Sequence, residues 1–484
     1  MLCPEHSDPG KLKGCVQTTL EQLCAIVGED GCAVDPDPDN PLLIDERGNF
    51  RGRAAAIVFP RSVDEVADVV GVCVGAGIPL VPQGGNTGYC GGATPDQSGT
   101  AVVVNLSRMN RVRAIDRVAC TMTAEAGVVL QDAQVAATEH GLLLPLAMGS
   151  QGSCQLGGNI STNAGGLSVL RYGTAAELVG GLEVVLPDGR VFTDLGGLRK
   201  DNTGYDLKQL FMGAEGTLGV ITAAVLRLQP LPRFHLTAWL AISGVDDALI
   251  LLDQLRQRLG DCITSFEYIA RDALTLVTRE IPELHPPVTA PDCDHALIEL
   301  VAFDDGGSVT SGFEQVMSDG IDSGRISDVA VAQNESQRGM FWSLRESIPA
   351  AEKRAGGSVK HDVSVALGVL PAFARDLSRS TSERFAGVRL SVYGHVGDGN
   401  LHFNVLAPAG QDVATYKAGH AEAISAFVHE SAVRSGGSFS AEHGIGQLKR
   451  DVLRDTAPPV ALELMRQLKD ALDPRGLMNP GKVV

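Results

Sequence analysis

Pro82-Gln-Gly-Gly-Asn-Thr-Gly-Tyr-Cys-Gly-Gly92 follows a short apolar run, Ile78 to Val81, and this order decides the fold. The loop offers many backbone amides with little side-chain hindrance, which suits the oxygens of a pyrophosphate. Upstream, Ser62-Val-Asp-Glu65 has capping-box spacing, and Val66, Val69, Val70, Cys73 and Val74 keep helical periodicity until Gly75 and Gly77 stop it. The chain therefore reads helix, buried strand, glycine-rich loop. A second region of this kind is Gly149-Ser-Gln-Gly-Ser-Cys-Gln-Leu-Gly-Gly-Asn-Ile-Ser-Thr-Asn-Ala-Gly-Gly166. Two phosphate-cradling stretches in one domain suggest a dinucleotide. Neither holds Gly-x-Gly-x-x-Gly between a strand and a helix, which disfavours an NAD-type Rossmann domain. Ordinary glycine-rich turns in an α/β domain are the blander account, open at this point.

Outward from these loops, strands are expected at Ala101–Leu106 and Leu182–Leu186, the latter turning through Pro187-Asp-Gly189 into Arg190–Phe192. Glycine thins after Gln229-Pro-Leu-Pro-Arg233, and alternating apolar segments with longer helical stretches take over. A first domain is placed at 1–233, its first 40 or so residues peripheral, and a second, an antiparallel sheet with helices, at 234–425. A C-terminal helical segment, 426–484, follows. Helical patterns run from about 415 through His429 and over Val460–Leu472, entered through Pro458-Pro459.

The 484 residues exceed what a single core organises. With 40 basic against 58 acidic residues the net charge is −18, which opposes binding to nucleic acid or anionic lipid. No apolar run is long enough to span a membrane, and Met1 to Gly10 lacks a signal core or an Arg-rich transit pattern, so a cytoplasmic protein is expected. Ten cysteines without a Cys-x-x-Cys read as free thiols.

Chemistry concentrates in Tyr393-Gly-His395-Val-Gly-Asp398-Gly399-Asn-Leu-His402-Phe-Asn404 and in Glu442-His443. Asp-Gly between apolar flanks signals a hairpin with a two-residue type I′ turn. That register sets His395 opposite His402, with Asn404 on the same face, near enough for two imidazoles to share a divalent metal. Glu442 completes a two-histidine, one-carboxylate set suited to zinc, with manganese or iron as alternatives, and open positions for substrate. A plain cross-strand histidine pair with a solvated Glu442 is the blander account. A metal-dependent hydrolase could use the same set to activate water.

Pro82–Gly88, Gly152–Asn159, Thr162–Gly166, Arg171-Tyr-Gly173, Asn202–Lys208, Gly213–Gly219 and Gly394–His402 together resemble the FAD-linked D-2-hydroxyacid dehydrogenases, of the vanillyl-alcohol-oxidase fold group, over most of the chain from about residue 40. The resemblance implies an α+β fold: a two-part FAD-binding domain, an antiparallel-sheet cap and a C-terminal helical segment. It implies that Pro82, Gln83, Gly84, Gly85, Asn86, Thr87 and Gly88 hold FAD together with Gly149, Ser150, Ser153, Gly157, Gly158, Asn159, Ser161, Asn163, Gly165 and Gly166. Gly216 and Ile221 would lie near the cofactor. His395, His402 and Glu442 would be metal ligands, Asn404 and His443 would face the substrate, and Arg345 and Lys360 would bind substrate carboxylates.

Asn86 stands where some relatives attach flavin through a histidine, so FAD is expected to be non-covalent. Pro349 stands where hydroxyglutarate-oxidising members carry a hydroxyl, which leaves a five-carbon diacid unsecured. D-2-hydroxyglutarate is still the substrate the resemblance favours, ahead of D-lactate or glycolate. His443 would act as base and flavin N5 would accept hydride from C2. An electron-transfer flavoprotein is the acceptor considered, and a homodimer the assembly. A flavoprotein that has lost its chemistry is the remaining alternative.

Overall fold

The computed structural model of the chain describes residues 9–290 and 292–484. Residues 1–8, including Cys3, His6 and most of the stretch read for targeting, lie outside the described residues, as does Pro291.

Ser62 opens the helix Val63–Ala76 by accepting a hydrogen bond from the Glu65 amide at 3.2 Å, and Gly77 closes it in a left-handed conformation, φ 72°. The return half of the expected capping box differs: the Glu65 carboxylate accepts from Arg61 N, not from Ser62 N. Val66, Val69, Val70 and Cys73 face the first core, each buried valine contributing about 1.5–3 kcal/mol over exposure.

That core joins two sheets. In the first, Ala56–Val58, Val102–Asn105 and Leu80–Gln83 run parallel, with Cys32–Val34 antiparallel at the edge. The second is antiparallel and ordered Val112–Asp116, Thr121–Glu125, Val220–Arg227, Val179–Val185, Val191–Asp194. Each strand expected from sequence lies within two or three residues of its place. The first glycine-rich loop leaves the parallel sheet at the end of Leu80–Gln83.

From Phe234 onward an antiparallel sheet of eight strands is built, its path running Ile326–Val331, Phe234–Ile242, Asp294–Ala302, Ile263–Ile269, Arg389–Gly394, Asn400–Leu406 and Ser358–Val359, with Asp362–Ser364 also on Asn400–Leu406. Trp239, Ile269, Leu297 and Tyr393 pack on one face with the helices Arg271–Glu280, Glu335–Glu346 and Ile348–Arg354. Leu240, Phe266 and Ile298 pack on the other with Val245–Leu259, Gly307–Asp322 and Leu370–Arg384. A sheet covered on both faces has no polar side, which explains the nearly continuous apolar strands.

The helix Val413–Arg434 runs unbroken through 425 and 426, with Tyr416, Ile424, Val428 and Ala432 in the core of this large sheet. The chain crosses back only after Arg434. Its end seats on the parallel sheet, where the Leu80 amide donates to Leu477 O at 2.8 Å and the Asn479 amide to Leu80 O at 2.7 Å. Residues 437–449 are thereby drawn across from the large sheet to the first half of the chain.

Candidate active site

The hairpin of Arg389–Gly394 and Asn400–Leu406 pairs Tyr393, not His395, with His402. The connection is the four-residue loop 396–399, closed by the Asn400 amide on His395 O. Gly399 alone has positive φ there, so the expected two-residue type I′ turn does not form. Moving the register by two residues preserves the face, and His395 becomes a diagonal neighbour of His402, their ring centroids 5.4 Å apart.

Glu442 arrives on the crossing segment. One ligand atom each from His395, His402 and Glu442 lie within 4.8 Å of one another, and His395 Nε2 is 3.8 Å from Glu442 Oε1. Bonds of roughly 2.0–2.2 Å to a common ion place donors about 3–4 Å apart, so this set fits a metal with small adjustment. His395 Nδ1 faces Glu267 Oε1 at 2.6 Å, the carboxylate–histidine pairing that directs the other ring nitrogen at a metal. Burial opposes charge on His395, but Glu267 and Glu442 outweigh it and hold the imidazolium up to about 9. Burial pushes His402 well below the ordinary imidazole range and raises Glu442 to about 7. An ion would displace those protons.

His443 ring-stacks at 6.4 Å from His402, meets Tyr89 edge-on at 4.9 Å, and sets Nδ1 3.7 Å from Asp362 Oδ2. Burial lowers His443 to about 4 against the pull of Asp362. It is thus held neutral, a weaker base than the free imidazole expected from sequence. Asp362, fully buried, accepts from the amides of Glu442 at 2.8 Å and His443 at 3.0 Å and from Asn400 Nδ2.

Arg345 and Lys360 are not solvated surface cations. Arg345 is 5 % exposed, gives its Nε to Glu267 Oε2 at 2.8 Å, and lies over the Tyr393 ring at 4.6 Å. Lys360 donates to the buried Glu352 at 2.5 Å, and Asn404 Nδ2 donates to the other oxygen of that carboxylate at 2.8 Å. Tyr393 meets the His402 ring at 5.0 Å and accepts from Asn404 Nδ2 at 3.4 Å, so Arg345, Tyr393 and Asn404 adjoin the metal set in one continuous patch. Pro349 sits in the first turn of Ile348–Arg354, where a missing N–H costs nothing.

The glycine-rich segments divide into two kinds of position. Gly85, Gly157, Gly166 and Gly216 allow protein chains to approach: a β-carbon on Gly85 would lie 2.1 Å from Ser153 O, one on Gly166 2.1 Å from Ala147 O, and those on Gly157 and Gly216 would meet Ala126 and Pro82. Gly88, Gly149 and Gly158 face open space. Among the described residues the amides of Gly85, Asn86, Thr87 and Gly88 have no backbone acceptor, and the buried Gln155 Oε1 has no partner. Free donors around an open surface, with an orphaned acceptor, fit a dinucleotide.

Several side chains expected at the cofactor also make hydrogen bonds or packing contacts within the protein. Gln83 is tied to Leu42 O, Ala93 O and Asn105, Asn86 donates to Pro41 O and Ile44 O, Asn159 donates to Cys154, Asn163 accepts from Ala176 N, and Ile221 is in the core. The carbonyls of Ser150 and Ser161 accept from Ser153 N and Glu215 N. Gly165 touches the metal set directly, because a β-carbon there would lie 2.9 Å from Glu442 Oε1.

Sequence reasoning passed over Glu215, Glu267, Glu352 and Asp362. Glu267 carried a legible signal: it is the single acid in the apolar strand Ile263–Ile269, where an unpaired charge would be too costly to keep.

Comparison with known proteins shows the family. Residues 54–194 match the family model described as FAD binding domain, and residues 231–483 match FAD linked oxidases, C-terminal domain. The chain belongs to the FAD-linked oxidase family. Within it, the chain is 39 % identical over 455 residues to the D-2-hydroxyglutarate dehydrogenase, mitochondrial, of Bos taurus, spanning 93 % of this chain and 80 % of that one. It is 35 % identical to the D-2-hydroxyglutarate–pyruvate transhydrogenase of Saccharomyces cerevisiae (90 % and 87 %) and 33 % identical to a putative D-lactate dehydrogenase of Schizosaccharomyces pombe (99 % and 92 %). Among solved structures, p-cresol methylhydroxylase superposes with a TM-score of 0.74 at 19 % identity, covering 100 % of this chain and 98 % of that one. Alkyldihydroxyacetonephosphate synthase superposes with 0.72 at 17 % identity, covering 99 % and 86 %. The fold is of the vanillyl-alcohol-oxidase type. Among the described residues no helix is long and apolar enough to cross a membrane.

Proposed function

We propose that the protein oxidises D-2-hydroxyglutarate to the 2-oxo acid with FAD as electron acceptor and a divalent metal, zinc foremost, at His395, His402 and Glu442. Convergence of these three ligand atoms within 4.8 Å, in a chain with this degree of likeness to D-2-hydroxyglutarate dehydrogenases, carries the reading. FAD, bound non-covalently along Pro82–Gly88 and Gly149–Gly166, supplies an acceptor for the hydride leaving C2. The metal supplies a Lewis acid that lowers the pKa of the substrate hydroxyl.

The chain's own residues do the rest. His443, neutral and with Nδ1 toward Asp362, takes the hydroxyl proton on Nε2, and the buried Asp362 carboxylate stabilises the imidazolium that results. Arg345 makes its hydrogen bond to protein through Nε alone, so its outer edge is offered to a second carboxylate. Asn404 and Lys360, steadied by Glu352, extend that recognition. The free Arg345 edge favours a diacid over D-lactate despite Pro349. The family match over 54–194 leaves the hydrolase account without a use for that domain.

In this reading residues 1–233 bind FAD, the segment from 234 caps the site, and the C-terminal return begins after Arg434. An electron-transfer flavoprotein as acceptor, a homodimer and a cytoplasmic setting are carried with it.

Anaerobic mixing with D-2-hydroxyglutarate should bleach the flavin spectrum, with D-lactate and glycolate slower. In His443→Asn, FAD should stay bound and reduction should slow roughly 10²–10⁴-fold. Reduction at the unaltered rate removes His443 from the base role. Chelation should suppress turnover, and zinc, manganese or iron should restore it; full activity in metal-free protein refutes the metal's part.

A further inference from the structure

The stretch Glu442–Gly446 carries a proposed metal ligand and the proposed base, yet it belongs to no helix or strand. Four of its five amides are shared between two buried carboxylates from opposite halves of the chain. Asp362, on the large sheet, takes those of Glu442 and His443. Glu215, from Gly213-Ala-Glu-Gly-Thr-Leu-Gly219, takes that of Ile445 on Oε1 at 2.7 Å and that of Gly446 on Oε2 at 2.8 Å. We propose that Glu215 is a positioning residue that fixes Glu442 and His443 relative to the flavin-binding half, so that metal affinity and the rate of flavin reduction both depend on it. This rests on the functional reading above.

Three further observations support the assignment. Glu215 adopts a left-handed backbone, φ 51°, which costs a residue with a side chain of the order of 1 kcal/mol or more. A strained backbone is retained where the side chain it aims is required. The room for the carboxylate is also made by absent side chains: β-carbons on Gly444 and Gly92 would lie 2.9 and 3.1 Å from its oxygens. Finally, its own backbone is anchored on both sides, the amide donating to Ser161 O in the first half at 2.8 Å and the carbonyl accepting at 2.8 Å from Nδ2 of Asn479, in the C-terminal tail seated on the parallel sheet. Ser161 ends the helix Leu156–Ser161 within the second glycine-rich segment. A displacement at that segment is thus transmitted through one residue to the loop bearing Glu442.

Glu215→Gln keeps the shape but turns an NH2 donor on one of the two amides. Glu215→Asp keeps the charge and tolerates the left-handed backbone, but is too short to span both amides. Both should retain FAD. In Glu215→Gln, zinc titration of the FAD-loaded protein should show affinity weakened about 10–100-fold, and the limiting rate of flavin reduction should fall about 10-fold or more with little change in substrate affinity. Glu215→Asp should lie between it and the unaltered protein. Hydrogen exchange of the peptide containing residues 443–448 should accelerate selectively. Unchanged zinc affinity and reduction rate per bound flavin overturn the proposal, as does loss of FAD and fold in both variants, which marks a purely structural residue. If the unaltered protein is not reduced by any 2-hydroxy acid, the functional reading fails instead; the clamp is then judged by zinc affinity and exchange, and unchanged values for both overturn it.

Discussion

Glu267 shows how one buried side chain serves two functions at the site. It is about 1 % exposed, receives Arg345 Nε on one oxygen and faces His395 Nδ1 with the other. Burial alone would raise its pKa, yet the two cations hold it down to about 2, so it is ionised throughout the useful pH range. Replacing Glu267 with Gln leaves Arg345 buried without a counter-charge, at a cost of about 3–5 kcal/mol, and removes the anion that orients His395. We expect urea denaturation to show that loss of stability, and zinc affinity to fall about 10–100-fold. Zinc binding as tight as in the unaltered protein would mean that His395 needs no carboxylate behind it. Asp362 and Glu352 belong to the same class. Only the position of Glu267 in an apolar strand marked any of the three in sequence, because their cationic or amide partners are brought to them by the tertiary fold across distances of 8 to 128 residues.

At the scale of elements, the hairpin loop 396–399 decides the site's geometry. Gly399 has φ 87°, and a β-carbon there would lie 2.3 Å from Val365 O, so alanine is excluded both by conformation and by space. Gly399→Ala should cost about 1–3 kcal/mol and reduce bound metal in parallel, read by thermal unfolding and metal analysis. Retention of full metal content in a destabilised variant would show that the loop does not set the position of His395. This element also marks the limit of what was legible in the sequence. The Asp-Gly pair located the turn, and period-two alternation put His395 and His402 on one face, which survived a register error of two residues because side chains alternate with that period. Loop length was not legible, since it depends on the backbone approach of Val365, just past the strand Asp362–Ser364. The glycine-rich loops were read as backbone bared for a ligand, but sequence could not separate glycines that admit another stretch of protein chain, such as Gly85, from those that face open space, such as Gly88.

Across the whole molecule, histidines outside the site link stability to acidity. His295 accepts a hydrogen bond from Trp239 Nε1 at 3.2 Å within one face of the large sheet, and burial lowers its pKa to about 4. His361 uses Nδ1 on Phe403 O and Nε2 on Ser425, and is lowered to about 3, first by burial and then by His429, with Lys449 and Arg47 adding to the effect. Both folded values lie below the ordinary 6.5. Above about pH 6.5 neither state carries the extra proton and stability is at its plateau. As pH falls below 6.5 the unfolded chain takes up protons that the folded chain refuses, so stability is lost progressively toward pH 4 for His295 and pH 3 for His361. Each contributes on the order of 2–3 kcal/mol by about pH 4. Urea midpoints measured from about pH 7.5 down to about pH 4.5 should therefore fall steadily. His295→Gln, which can still accept from Trp239 but cannot take up the proton, should flatten the decline. A midpoint curve equally steep in His295→Gln would show that acid sensitivity arises elsewhere than in this buried imidazole.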